Sequence, residues 1–124
     1  QRNLSTEGII QSKKIGNFFK KNNIKIGKVL SSEWCRCKDT SFYAFTKYST
    51  FNGLNSFYDP IFYENKKNQI KSLKKFVKNW DGKSNLILVT HYVVILEILN
   101  LGASSGEVIV TNKDYKTLGR IKID

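Results

Sequence analysis

The sequence predicts an α/β protein, a three-layer sandwich with a mostly parallel central sheet. Three observations predict it. Segments of helical periodicity alternate with short apolar runs, in the order helix, strand, helix, loop, helix, strand, helix, strand, strand. The run Leu86-Ile87-Leu88-Val89 is apolar without alternation, as in a strand covered on both faces inside a parallel sheet. Polar groups gather where strands end: Ser31 and Ser32 after one, Thr90 and His91 after another. Open α/β sheets hold their ligands at such carboxyl ends.

Ser5 is the expected N-cap of the first helix, with Glu7 and Gly8 in its first turn. Ile10, Ile15, Phe18 and Phe19 supply its apolar face. Lys20 and Lys21 suit its negative C-terminal end, and Asn22 and Asn23 stop it. Residues 26–32 read as a buried strand centred on Val29 and Leu30, after which Ser31 and Ser32 are placed to cap the next helix. That helix is expected over 34–43, and an irregular aromatic loop or short strand over 46–60, which holds Gly53 and Pro60. Residues 65–80 form a strongly amphipathic pattern, with Ile70, Leu73, Phe76 and Val77 on one face and lysines on the other. After a turn at 81–84 come the apolar strand 86–90 and a short helix over 93–100 that Gly102 ends. Residues 107–111 and 120–123 read as strands joined through 112–119.

The chain has 124 residues, one domain by size, and is 40% hydrophobic, enough to bury a core. No apolar run approaches the ~18 residues of a membrane span. The chain opens on Gln1 rather than Met, so the native start is expected upstream, and no signal peptide is visible. The net charge is +11 at pH 7. Nearly all of it is lysine, with Arg2, Arg36 and Arg120 the only arginines. Lysine accompanied by abundant Asn and Ile is the residue bias of an AT-rich coding sequence, so nucleic acid is not the favoured partner. The charge attracts phosphorylated ligands at low salt in either case.

Cys35 and Cys37 stand one residue apart, a spacing that strains a bridge between them, and structural thiols are the expected role. A metal site needs more ligands than these and the single histidine supply, so no metal or cofactor is expected. No Gly-x-Ser-x-Gly elbow and no glycine-rich phosphate loop is present. The aromatics between Phe42 and Tyr63 read as core and rim rather than as a base-stacking platform.

His91, the only histidine, falls at the active end of an apolar strand, where its charge is switchable near neutrality. Arg36 lies early in a helix, and its planar fork suits phosphate oxygens. An ordinary ion pair of Arg36 with Glu33 or Asp39 is the alternative. If the two strands are neighbours, Arg36 and His91 converge on one pocket.

These signals join in a resemblance. Leu4-Ser5-Thr6-Glu7-Gly8 followed by Gln11 resembles a helix start of the histidine phosphatase (phosphoglycerate mutase-like) superfamily. Val29-Leu30-Ser31-Ser32-Glu33-Trp34-Cys35-Arg36, continuing to Thr40, resembles its second strand and phosphate-pocket arginine. Leu86 through His91 is similar to the strand that carries the second catalytic histidine, and Gly106 through Val110 to the strand after it. The ordered match covers almost the whole chain.

The resemblance implies a phosphohydrolase that cleaves phosphate monoesters, of small molecules or phosphoproteins, through a phosphohistidine and without a metal. Arg36 would hold phosphate oxygens and His91 would stabilise charge on the transferring group. Asp59 is the candidate general acid, with Glu64 behind it. Asn55 is an alternative occupant of that place and, with Ser32 and Arg2, a candidate substrate contact. No Arg-His pair occurs in the chain, so the nucleophilic histidine and its strand are expected upstream of Gln1. The stretches around Trp34 and Leu54 resemble short bacterial members, many of them exported. Two alternatives stand beside this reading: a catalytically inactive phosphate-ligand binder and a basic nucleic-acid-binding module.

Overall fold

The computed structural model describes residues 3–123, and Arg2 lies outside them. The described residues form a mixed α/β fold with four α-helices and a three-stranded parallel sheet.

Helix α1, Thr6–Lys21, starts as its sequence dictates: Gly8 N–H donates to Ser5 Oγ at 3.1 Å. Ile15 and Phe19 are buried, but Ile10 is 50% exposed. It stands about 140° around the helix from Ile15, off the buried face. Gly16 lets α1 approach α2 (Cys35–Phe45) closely, because a Cβ there would collide with the Ala44 carbonyl.

Strand β1, Ile26–Ser31, is exposed over its first half and buried over its second. It lies between β2 (Ser49–Thr50) and β3 (Asn85–Val89), parallel to both. Successive β3 side chains point to opposite faces. Ile87 packs against the cluster of Ile15, Phe19 and Ala44, from α1 and α2. Leu86 and Leu88 pack against Leu30, Leu54, Leu73, Val77 and Val94. The latter cluster draws on α3 (Lys66–Lys78) and α4 (Tyr92–Leu99). Leu54 and Leu73, at 0% and 1% exposure, anchor it. Burial of a side chain of that size contributes roughly 1.5–3 kcal/mol.

Some expectations need correction. β3 is not an interior strand among the described residues: it sits at the sheet's edge, and its apolar residues are half-buried. The last two strands do not extend that sheet. β4 (Val108–Thr111) and β5 (Thr117–Ile121) form a separate antiparallel pair. Their turn is shorter than expected because Asn112 Oδ1 accepts the N–H of Asp114 (2.9 Å) and Lys116 (3.1 Å). The amphipathic segment 65–80 starts its α-helix at Lys66, after a 3-10 turn over Pro60–Asn65. α4 ends on Asn100 in the left-handed region (φ 54°), ahead of the expected Gly102. No helix of the described residues is long and apolar enough to cross a membrane.

Candidate phosphate-binding site

Ser31 pairs with Val89 in the parallel register, so the residues after them leave the sheet side by side. The ladder runs on for one bond, Ser32 N–H to Val89 carbonyl at 3.0 Å. This brings together residues 59 apart in sequence: Ser32 Oγ lies 2.7 Å from His91 Nε2. His91 occupies the N-cap position of α4 without capping it, and its ring instead turns toward β1 and α2.

The expected corner serine does not cap α2. Trp34 is the N-cap residue, and its N–H donates to Ser32 Oγ at 3.2 Å. Ser32 is 0% exposed. Asn55 arrives from the loop after the 3-10 turn Asn52–Leu54. Its Oδ1 accepts Glu33 N–H at 2.8 Å and lies 3.2 Å from Ser32 Oγ. Its Nδ2 donates to Glu33 Oε1 at 2.8 Å. Thr90 Oγ1 donates to the Leu54 carbonyl at 2.6 Å, which ties this loop to the end of β3. Trp34 meets the His91 ring edge-on at 5.8 Å, and Phe62 meets Trp34 at 5.5 Å. Trp34 and Phe62 thus form an aromatic wall beside the imidazole.

Burial, with the Arg36 charge adding to it, pushes the His91 imidazole down from its usual 6.5 to about 4, so the ring is neutral near pH 7. Cys37 Sγ lies 3.6 Å from Nε2 and 3.6 Å from the Thr90 carbonyl. Burial raises this thiol to about 11, against the lowering effects of Ser32 and Arg36. Cys37 is therefore protonated and no nucleophile at neutral pH. Ser32 is next to a histidine, yet its burial denies it a substrate to attack.

Arg36 is exposed in the first turn of α2, where the helix dipole also favours anions. Its charge reaches both His91 and Cys37. The ion pairs among the described residues are Lys66–Glu97 and Arg120–Glu107. The carboxylates considered for Arg36 have other partners: Glu33 holds Asn55, and Asp39 Oδ2 accepts Leu4 N–H at 3.1 Å. Asp59 is exposed and caps the 3-10 turn through Ile61 N–H at 3.1 Å. That turn also carries Phe62 of the aromatic wall, but no hydrogen bond among the described residues links Asp59 to His91, Ser32 or Arg36. Glu64 is exposed in the same turn. A cleft of about 280 Å³ between Phe51, Phe76 and Trp80 shares no lining residue with this site.

Sequence reasoning singled out His91, Arg36, Ser32 and Asn55, and the structure groups His91, Ser32 and Asn55 in one network with the Arg36 charge upon it. It missed Trp34 as a wall, Cys37 as a neighbour of the imidazole, and Glu33 as the clamp on Asn55. The spacing of Cys37 from Trp34, nearly one helical turn, is the signal that could have found the first two.

Fold and site together define a class: an α/β protein with an arginine and a neutral histidine at the carboxyl ends of adjacent parallel strands. The comparisons with known proteins take it no further, since no family model and no curated protein matches the chain.

Proposed function

We propose that the chain is the phosphate-handling part of a phosphohydrolase of the histidine phosphatase type, with the phosphoglycerate mutase-like three-layer arrangement. It cleaves phosphate monoesters of small molecules or phosphoproteins. The observation that carries this reading is that the Arg36 charge is felt at the His91 imidazole, where β1 and β3 end side by side. A cationic fork beside a neutral N–H donor suits a phosphoryl group whose charge spreads over its oxygens during transfer.

In this reading a histidine on a segment upstream of Gln1 attacks phosphorus. The alcohol leaves with a proton from Asp59, and a phosphohistidine remains. Water, losing a proton to the Asp59 carboxylate, then attacks the phosphorus of that intermediate and releases inorganic phosphate, the free histidine and the reprotonated Asp59. Arg36 binds the non-bridging oxygens in both steps, and His91 donates to one of them.

A second reading, a phosphate-ligand binder without turnover, is favoured by one observation: of the hydroxyl and thiol that touch His91, Ser32 is fully buried and Cys37 is protonated, so neither serves as a nucleophile. One experiment separates the two. The parent polypeptide with its upstream segment is assayed on an aryl phosphate, and the acid-labile phosphohistidine is trapped. Turnover and a trapped adduct, both lost in Arg36→Ala and His91→Ala, are the expected result. Saturable phosphate binding without either leaves the binder, and no phosphate binding at all sinks both.

A further inference from the structure

We infer that Ser32 is a positioning residue for His91: its hydroxyl donates to Nε2 and holds the ring in the tautomer that carries its proton on Nδ1. The tautomer follows from geometry, and only the use made of the Nδ1–H rests on the phosphohydrolase reading.

Ser32 has one hydroxyl proton and four polar neighbours: His91 Nε2 at 2.7 Å, Asn55 Oδ1 at 3.2 Å, Trp34 N at 3.2 Å and the Cys37 thiol, which is protonated and therefore a poor acceptor. The Trp34 N–H is a donor and takes a lone pair of Oγ. The proton then goes to Nε2 or to Oδ1, and distance decides between them. Hydroxyl donors bond oxygen at about 2.5–3.0 Å with a mode near 2.7–2.8 Å, whereas N–H···O bonds centre on about 2.9–3.0 Å. A separation of 2.7 Å is thus typical of a hydroxyl donating and short for a ring N–H donating. The 3.2 Å contact to Oδ1 lies outside the hydroxyl range.

Asn55 reinforces the choice. Its amide is oriented from both sides, with Oδ1 accepting Glu33 N–H and Nδ2 donating to Glu33 Oε1, each at 2.8 Å. The atom facing Ser32 is therefore an oxygen that already has a donor. The Cys37 thiol, also near Nε2, has the Thr90 carbonyl as its own acceptor. Nε2 is left as the acceptor and Nδ1 carries the hydrogen.

No hydrogen bond among the described residues involves Nδ1, and no buried side-chain nitrogen or oxygen among them lacks a partner. The Nδ1–H is therefore open on the accessible side of the ring. For an uncharged imidazole the tautomer sets the sign of its interaction with an anion. An outward lone pair repels phosphate oxygens, while an outward N–H binds them. A buried serine that touches no ligand thus decides whether His91 can contribute.

The chain has a single histidine, so a sample labelled with ¹⁵N in that ring reports one imidazole. Long-range proton–nitrogen correlation at pH 7 is expected to show a protonated Nδ1 and a bare Nε2. Ser32→Ala is expected to move both nitrogens toward the averaged shifts of mixed tautomers, and Ser32→Thr, which keeps the hydroxyl, to restore the wild-type pattern. A wild-type proton on Nε2, or a Ser32→Ala spectrum unchanged from wild type, overturns the inference. If the alanine variant fails to fold, the wild-type spectrum alone decides. Phosphate is titrated into the same sample. An Nδ1–H ring that ignores phosphate counts against the phosphohydrolase reading and supports the tautomer assignment, while a phosphate-responsive ring protonated on Nε2 does the reverse.

Discussion

Arg36 and Arg120 look alike in the sequence and live in opposite surroundings. Arg120 closes the β4–β5 hairpin onto Glu107, with Nε to Oε2 at 2.7 Å and Nη2 to Oε1 at 2.9 Å, and Nη2 also reaches the Gly102 carbonyl at 2.8 Å. Its fork is spent on a carboxylate of its own chain. Arg36 stands in the first turn of α2 with no ion pair among the described residues. The two regions also rest on different foundations. The loop that carries Asn55 rests on the cluster of Leu30, Leu54 and Leu73, whereas the hairpin exposes Leu118 and Val110. The difference teaches that a scarce arginine is a binding candidate only when the fold gives its neighbouring carboxylates other work, as it does here for Glu33 and Asp39.

The largest expected effect tests the foundations. Leu54 is fully buried and its carbonyl receives Thr90, so it supports the loop that carries Asn55. Leu54→Ala is expected to cost about 2–5 kcal/mol through lost burial and a cavity. Leu118→Ala, in the 61%-exposed position of the hairpin, is expected to change stability by no more than about 0.5 kcal/mol. Urea unfolding of both variants measures the contrast, and equal losses would break it.

Next comes the contrast between the arginines themselves. Hydrogen bonds to charged groups contribute about 1.5–3 kcal/mol each, so Arg36→Ala is expected to weaken phosphate binding by roughly tenfold to a hundredfold. Arg120→Ala is expected to leave phosphate binding unchanged and to lower the unfolding temperature. Calorimetric phosphate titration and thermal unfolding of each variant give both readouts. Equal weakening by the two substitutions would mean that the diffuse lysine charge, not a built pocket, attracts the anion.

The order and type of most elements were legible because periodicity and caps are local. Ser5 caps α1, and the apolar stripe of α3 holds Leu73 and Val77 in the core. Strand partnership was not local, and so the edge position of β3 and the separate β4–β5 pair were not legible. The same division holds at the site. His91 and Arg36 stood out as scarce residue types at element ends. The link from Ser32 to Asn55 spans 23 residues and depends on a loop held by the Thr90 hydroxyl, which no spacing rule announces.

The smallest expected effect separates the two regions by pH. The folded His91 resists protonation down to about 4 while the unfolded ring takes a proton near 6.5. Between those values the unfolded state binds more protons, so stability is complete above 6.5 and falls as pH drops toward about 4. The Glu107 carboxyl is held down from 4.5 to about 2, chiefly by Arg120 and by the Ser104 N–H. Its contribution is present above 4.5 and is lost as pH falls toward about 2. Acid should therefore weaken the protein in two windows, the site first and the hairpin clamp second. His91→Gln should flatten the upper window and spare the lower, and Arg120→Ala should do the opposite, in denaturant unfolding measured across the pH range. The clamp is exposed at its arginine and weakens in salt, whereas desolvation of the half-buried His91 does not, so added salt should shrink the lower window alone. If salt shrinks both windows alike, the low His91 value comes from Arg36 more than from burial, and the two regions differ less in kind than in which partner each arginine has found.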